Sequence, residues 1–256
     1  MSGSAASARP GPRAALGLIG LGLLLAAWWA GAWALQSRVP LAASLAPDQA
    51  GTSLLKLLSG RELFEHAAVS LRRVAVGLGL ALLVGVPAGL WVGASRQAAA
   101  LTGPSFQLLR MISPLSWMPI AVMVLGVGDA PIHFLLAFAA VWPILLSTAS
   151  GVQQLDPRWM MLGRSLSATR SELLLRVVLP GVVGPILTGT RLAIGTIWIV
   201  LVPCEMLGVS AGLGYFIMDT RDRLAYSELM ACVLVIGVLG YALDLLARAA
   251  HQRWTR

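Results

Sequence analysis

Six apolar stretches alternate with polar segments along the chain, and each is long enough to cross a bilayer as an α-helix. They cover residues 14–35, 74–92, 104–127, 132–151, 181–207 and 229–247. About 20 consecutive apolar residues span a hydrocarbon core, so the pattern predicts six transmembrane helices. The third stretch is interrupted by Arg110, Pro114 and Pro119. An even number of spans places both termini on the same side of the membrane.

The first stretch is interpreted as an uncleaved transmembrane helix over residues 14–35. Arg9 and Arg13 precede it, as they would in a signal peptide. The stretch is longer than the apolar region of roughly 7–15 residues that signal peptides carry, and no small-residue cleavage site follows before Gln36.

Composition supports an integral membrane protein. The chain is 57% apolar and only 12% charged, about half the charge of an ordinary soluble domain. This composition excludes a disordered chain, a secreted disulfide scaffold and a typical cytosolic enzyme. Cys204 and Cys232 lie in apolar stretches without metal-type spacing and are expected to be small buried side chains.

The basic residues indicate orientation rather than nucleic-acid binding. In a membrane protein, arginines mark cytoplasmic loops and anionic lipid headgroups, so we expect lipid contacts and no nucleic-acid partner. With the N-terminus inside, ten arginines fall in cytoplasmic segments against seven basic residues outside. This bias predicts an inner (plasma) membrane protein with cytoplasmic tails at 1–13 and 248–256. Residues 36–73 then form an extracytoplasmic loop followed by an interfacial helix.

No catalytic motif is recognisable in the sequence. Lys56 is the sole lysine and lacks the glycine frame of a phosphate-binding loop. The histidines (His66, His133 and His251) are far apart and form no metal-binding pair. The chain is therefore not expected to hydrolyse ATP or to act as an enzyme by itself.

The segment 153–180, between the fourth and fifth spans, predicts two short amphipathic helices. Asp156 is a suitable N-cap, with Pro157 at the first helical position, and Trp159, Leu162 and Leu166 follow on one face. A second helix is predicted over 172–178, capped by Ser171 and ended by Leu179 and Pro180. Such a segment suits either docking to a protein or lying on the membrane surface.

This segment resembles the EAA loop of binding-protein-dependent ABC importer permeases, E-A-A-x-x-x-G-x9-I-x-L-P. The pattern falls on Met161, Leu162, Gly163, Ser167, Val177, Leu179 and Pro180. The chain departs from it in two places, since methionine replaces the opening glutamate and Ser167 replaces the turn glycine. A left-handed serine there would cost about 1–2 kcal/mol, so either the turn is ordinary or docking differs.

Three further blocks resemble the nitrate/sulfonate/taurine permease family. They include SPLSWMP at 113–119, WPI at 142–144 and YFIMD at 215–219, and they look most similar to nitrate, cyanate and bicarbonate permeases. The resemblance covers residues 70–247.

The resemblance implies an all-α fold of six transmembrane helices with an EAA-type coupling loop at 153–180 and a permease core at 74–247. It implies assembly with a second permease subunit, as a homodimer, with cytosolic ATPase subunits and with an extracytoplasmic solute-binding protein. ATP and magnesium would bind to the ATPase, and this chain would hold no cofactor or metal. The cargo would be a small anion such as nitrate, bicarbonate, a sulfonate or a taurine-like solute. The matched EAA residues, with Trp159 and Leu166, would couple to the ATPase.

Candidate residues for the transport pathway lie around the interrupted third span and near two other spans. They are Ser113, Pro114, Trp117, Pro119, Trp142 and Glu205. Interrupted helices often line substrate routes, although helix packing and interfacial anchoring explain the same prolines and tryptophans. Since a bare carboxylate would repel an anion, Glu205 is expected to pair with an arginine on another span.

Four arginines in or beside the spans could attract anions: Arg72, Arg73, Arg110 and Arg191. Extension of the same side chains to lipid headgroups is the alternative. Asp244 and Arg248, four residues apart, are expected to form a structural ion pair.

Two other functions remain open at this point. A self-sufficient secondary transporter or channel would need ion-coupling acids deep in its spans, whereas the acids here lie at edges and in loops. A membrane enzyme or assembly factor would need a catalytic constellation, and none is recognised.

Overall fold

The chain is all helical over the residues that the computed structural model describes, which are 12–36 and 40–254. In chain order the α-helices are α1 (Pro12–Gln36), α2 (Pro47–Ser59), α3 (Glu62–Ala94), α4 (Arg96–Met111), α5 (Met118–Leu125), α6 (Asp129–Gln153), α7 (Pro157–Ser165), α8 (Arg170–Leu173), α9 (Leu179–Glu205), α10 (Leu213–Asp222) and α11 (Tyr226–Trp254). Short 3-10 turns cover Pro40–Leu45 and Pro114–Trp117, and a π turn covers Leu174–Val178.

Six spans are present when one bent pair of helices is counted as a single span. Within the described ranges, five helices are long and apolar enough to cross a membrane: α1, α3, α6, α9 together with α8 and the π turn, and α11. The sixth span is α4 followed by Pro114–Leu125, which turn through 87° relative to each other. The predicted six-span, all-α fold is confirmed.

The third predicted span, 104–127, is broken rather than continuous. Its first helix begins earlier, at Arg96, and ends at Met111. Ser113 has an extended backbone with ψ of 129° because a residue that precedes proline is disfavoured in helical geometry. Pro114 also lacks the N–H that would continue the helical hydrogen bonds.

The segment predicted as an interfacial helix belongs to two different helices. α2 ends at Ser59, and α3 then runs for 33 residues from Glu62 through the whole second span. Residues 62–73 are therefore the first turns of a long membrane helix. At the other end of the chain, α11 continues to Trp254, through most of the segment predicted as a tail. Most of the predicted N-terminal tail lies outside the described residues.

The core is a layer of three helices in which α6 packs between α3 and α9. Its fully buried apolar side chains include Ile132, Leu135, Leu136, Ile144, Ile197 and Leu201. Cys204 is buried in this cluster and Cys232 in a second one, and both are free thiols. The expectation that the two cysteines are small buried side chains is confirmed.

Glycines on one face of α3 let it approach α6 closely. They are Gly77, Gly85, Gly89 and Gly93, spaced by eight, four and four residues. A Cβ atom on Gly89 would lie 2.6 Å from both the carbonyl oxygen of Leu145 and the Cβ of Thr148. Membrane helices depend on such small residues because lipid supplies no hydrophobic force between helices.

The two ends of the bundle are distinct. The α10 end holds α10 with the N-terminal turns of α3 and α6 and the C-terminus of α9. There, Leu63, Leu213, Phe216 and Cys232 form the second apolar cluster, against which residues of α2 and α11 pack. The α7 end holds α7, α8 and the N-terminus of α9.

We expect Gly89→Leu to destabilise the α3–α6 contact because overpacking a close helix interface costs about 1–3 kcal/mol. The measurement is the thermal unfolding midpoint of the detergent-solubilised protein. Gly79→Leu is the matched control, since a Cβ on Gly79 meets nothing within 4 Å. Equal midpoints for the two variants would contradict this account of the packing.

Candidate functional site

The loop at the α7 end begins as the sequence predicts. Asp156 accepts a hydrogen bond from the Arg158 N–H at 2.9 Å, and Pro157 occupies the first turn of α7. The helix is short, and none of its residues is buried.

α7 ends in a Schellman turn with Ser167 in the left-handed region. The φ angle of Ser167 is 59°. Its N–H donates to the carbonyl of Arg164, and the N–H of Ala168 donates to the carbonyl of Gly163, both at 3.0 Å. This is the hydrogen-bond pattern in which helices usually carry glycine. Ser167 therefore adopts the left-handed backbone conformation that glycine usually provides in this turn. For a serine this conformation costs about 1–2 kcal/mol in steric strain.

α7 presents a bare apolar surface. Trp159, Met161, Leu162 and Leu166 are exposed by 60%, 58%, 53% and 74% of their surfaces. On another side, Gly163 packs against Leu173 so closely that a Cβ would overlap the leucine. The helix is thus held against α8 while its apolar side chains remain uncovered within the described chain.

The second short helix differs from the prediction in its cap. Thr169, not Ser171, is the N-cap. Its hydroxyl and backbone N–H both contact the Glu172 carboxylate, and the Glu172 N–H donates back to the Thr169 hydroxyl. This reciprocal arrangement is a capping box, and it starts the helix before the predicted position.

The helix does not end at Leu179 and Pro180, contrary to the prediction. Pro180 has no N–H to donate to the carbonyl four residues earlier. A π turn absorbs this gap, with the N–H of Leu179 donating to the carbonyl of Leu174. The helix therefore continues from Arg170 to Glu205. Val177 and Leu179 are half-buried at this junction, and Pro180 is exposed.

At the α10 end, a buried ion pair joins α3 to α9. Arg73 and Glu205 are 2% and 0% exposed, and the Nη1 of Arg73 lies 2.8 Å from the Oε1 of Glu205. The same guanidinium bonds Asp129 on α6 at 2.6 Å. Ser70 places its hydroxyl 2.8 Å from both Glu205 oxygens. The expected pairing of Glu205 with an arginine on another span is confirmed.

This cluster also fixes the segment that enters α10. The Gly214 N–H donates to Glu205 at 3.0 Å and the Leu213 N–H to Ser70 at 2.8 Å, while Arg73 donates to the Ala211 carbonyl. Both carboxylate oxygens of Glu205 are thereby satisfied and buried. In this conformation Glu205 is an anchor of the fold and is closed off from any aqueous path.

The candidate pathway residues of the broken span lie beside α6. Trp117 and Trp142 each contact the ring of Phe138, with centroids 5.6 Å apart in both cases. Their indole Nε1 atoms are buried without a hydrogen-bond partner. Pro114 is half-buried nearby, while Ser113 and Pro119 are exposed.

Three adjoining cavities follow α6 from this break towards the α7 end. The first, of about 290 Å³, lies between the break, α6 and α9 and is lined by Arg110, Pro114, Trp142 and Thr196. The second, also about 290 Å³, shares Arg110 and Leu146 with it and reaches Gln153. The third, about 480 Å³, shares Leu146 and Ser150 with the second. The shared residues place these three cavities side by side along α6, and their lining is partly polar.

Comparison with known proteins identifies the family of the chain. Residues 85–256 match the family of binding-protein-dependent transport system inner membrane components. The chain belongs to this family.

Relatives of this permease have related transport functions. It is 39% identical to the bicarbonate transport system permease protein CmpB of Synechococcus elongatus over 194 residues, covering 75% of this chain and 69% of the relative. It is 32% identical to the taurine transport system permease protein TauC of Escherichia coli, covering 92% of this chain and 86% of the relative. The nitrate import permease protein NrtB of Leptolyngbya laminosa is 35% identical, with 72% and 66% covered.

A solved structure shows the same fold. The MetNI methionine ABC transporter in an inward-facing conformation has a chain that matches with a TM-score of 0.62 at 14% identity. The match covers 77% of this permease and 95% of that chain.

Two residues of the buried cluster around Arg73 and Glu205 were not predicted to belong to it: Ser70 and Asp129. No pattern in the sequence points to Ser70 or to the pairing of Asp129 with Arg73, since the residues that they contact lie on other helices.

In the part of the permease that the structure describes, no group of His, Cys, Asp and Glu could hold a metal ion.

We expect Glu205→Ala to lower the free energy of unfolding by about 3–5 kcal/mol because it breaks the buried ion pair with Arg73 and leaves the buried Gly214 N–H without its acceptor. The measurement is the free energy of unfolding of the detergent-solubilised permease, obtained from denaturant titration. Asp244→Ala is the control. It removes a partly exposed carboxylate that pairs with both Arg191 and Arg248, and exposed ion pairs contribute about 0–1 kcal/mol each. A Glu205→Ala protein as stable as the control would show that the buried pair is not an anchor.

Proposed function

We propose that this permease moves a small anion across the inner membrane by alternating access, driven by ATP hydrolysis on a separate chain. The observation that carries the proposal is the uncovered apolar surface of α7, formed by Trp159, Met161, Leu162 and Leu166. Relatives that carry bicarbonate, nitrate and taurine support the choice of cargo. Nitrate and bicarbonate are monovalent anions, and taurine carries a sulfonate.

The apolar surface of α7 suits docking to a cytosolic ATPase subunit. Isolated apolar side chains are common on protein surfaces, but three on the nine-residue α7 and a fourth at its C-cap, Leu166, form a patch. Burial of such side chains against a partner is favourable by about 25 cal/mol for each Å² of apolar surface. ATP and magnesium would bind to that partner, and the permease itself would hold no cofactor.

The fold provides a mechanical link from the docked helix to the spans. Gly163 of α7 packs on Leu173, and Leu173 is part of the continuous helix that ends at Glu205. Movement of α7 with the ATPase would therefore tilt α9 as a rigid rod. Val177, Leu179 and Pro180 lie at the base of this rod, where the π turn leaves its hydrogen bonding irregular.

The remaining partners follow from this arrangement. Docking at α7 would place both termini and the α7 end in the cytoplasm, and the α10 end would face an extracytoplasmic solute-binding protein. A second copy of the permease would complete the pathway, in which Ser113, Pro114, Trp117, Pro119 and Trp142 line the broken-span side.

We expect Leu162→Asp to abolish stimulation of ATP hydrolysis and cargo uptake together because a carboxylate would be placed in the centre of the docking patch. Leu162→Met, which retains an apolar side chain of similar volume, is the matched control. The measurement is ATP hydrolysis by the complete complex in the presence of the solute-binding protein. Unchanged stimulation in the Leu162→Asp complex would contradict docking through α7.

Uptake of labelled nitrate, bicarbonate and taurine by the complete complex in sealed vesicles tests the cargo. We expect ATP-dependent uptake of at least one of them. Uptake of none would refute the anion proposal, and uphill transport by the purified permease alone would favour a secondary transporter.

A further inference from the structure

Arg110 differs from the other arginines near the core because it lacks an acidic partner. Arg73 pairs with Glu205 and Asp129, and Arg191 pairs with Asp244 at 2.9 Å. No carboxylate among the described residues lies within ion-pair distance of Arg110. The charge is therefore uncompensated within the described part of the permease.

Arg110 is exposed and lies level with the middle of α6. α4 runs along α6 in the opposite direction, so Ala99 shares a cavity with Gln153, at the α7 end of α6. Arg110 shares the adjoining cavity with Trp142, near the midpoint of α6. About 21 Å of helix separates Arg110 from Arg96 at the start of α4. A side chain at this depth is far from the headgroups that attract arginines at helix ends.

A second unsatisfied group borders the same cavity. Trp142 is 8% exposed, lines the cavity with Arg110, and its indole N–H has no acceptor. A buried donor without an acceptor is costly in a native protein. A cation and an orphan N–H donor beside one cavity are the two features that an anion would satisfy together.

The surrounding walls also suit an anion. None of the three cavities along α6 is lined by an acidic side chain. Neutral polar residues, Gln107, Ser150 and Gln153, line the second cavity between Arg110 and the α7 end. The break between α4 and the following turn leaves space of about 290 Å³ next to the guanidinium, which is ample for a small oxyanion.

We propose that Arg110 and Trp142 form a transient binding site for the transported anion at the middle of the membrane. This inference rests on the proposed transport of a monovalent oxyanion such as nitrate or bicarbonate. The guanidinium supplies the charge and fork-like donors that suit a planar oxyanion. The indole N–H supplies a further donor when the side chains adjust around the ion. Because Arg110 is an exposed side chain that lines the cavity, binding would be weak enough for release, as conduction requires.

The test measures labelled nitrate and bicarbonate uptake, and ATP hydrolysis, by the complete complex in sealed vesicles. We expect Arg110→Gln to lower uptake about tenfold or more, as expected for loss of a charge-assisted contact, while ATP hydrolysis stimulated by the binding protein persists. Arg110→Lys should retain more uptake than Arg110→Gln because it keeps the charge, although it loses the fork-like donors of the guanidinium. Trp142→Phe, which keeps the ring and removes the donor, should lower uptake severalfold.

Two matched controls separate the site from general effects on the membrane helices. Arg191→Gln removes an arginine that is already neutralised by Asp244. Trp91→Phe removes an indole from an exposed position on α3. Both control complexes should transport as the wild type does.

The outcomes distinguish this inference from the proposed function. If the wild-type complex transports neither anion, the proposed cargo is wrong. If the wild type transports them and Arg110→Gln does so equally well, the Arg110 site is refuted and the proposed function stands. If Arg110→Gln and Arg110→Lys lose uptake and ATP hydrolysis alike, Arg110 has a structural role and the site is refuted as well.

Discussion

The need to neutralise charges inside an apolar bundle organises the α10 end of this permease. A charged side chain in a membrane helix is tolerated when it is paired or faces water. Arg73 meets this requirement by bonding Glu205 on α9 and Asp129 on α6 at the same time. Three spans are thereby set at one level, and Ser70 and Glu205 then hold the backbone that leads into α10. The position of α10 depends on a charge pair formed between other helices.

In the segment from α7 to α9, local hydrogen bonds rather than ion pairs between helices define the structure. A capping box at Thr169, a left-handed Ser167 and a π turn before Pro180 connect α7 to α9 across residues 166–178. Each of these is a local device with defined hydrogen bonds. A movement imposed on α7 would reach the spans through this junction, because α8, the π turn and α9 form one continuous helix.

Sequence patterns predict the parts of this structure that depend on local chemistry. The six spans, the Asp156 cap and the apolar face of α7 all follow from side chains close together in the chain. The errors have equally specific causes. Ser171 was predicted as the cap, but Thr169 has the glutamate three residues later that a capping box requires. The end predicted at Pro180 assumed that proline stops a helix, whereas a π turn can absorb the missing bond.

Features formed between helices could not be predicted in the same way. The sequence indicates that Glu205 needs an arginine, but several arginines satisfy that requirement equally well. Only the packing of α3 on α6, through glycines at 77, 85, 89 and 93, brings Arg73 and Asp129 to the level of Glu205. The break at Ile112 and Ser113 is signalled by Pro114, but the 87° turn that follows is not.

The break and the unpaired Arg110 are best understood together. The chain turns through 87° after Met111, and a cavity lies between this turn, α6 and α9 at the level of Trp142, with Arg110 in its lining. Arg73 and Arg191 each have a carboxylate partner that neutralises the charge. A charge that is to attract a passing anion has to lack such a partner, and it also needs an open space beside it. Arg110 meets both conditions.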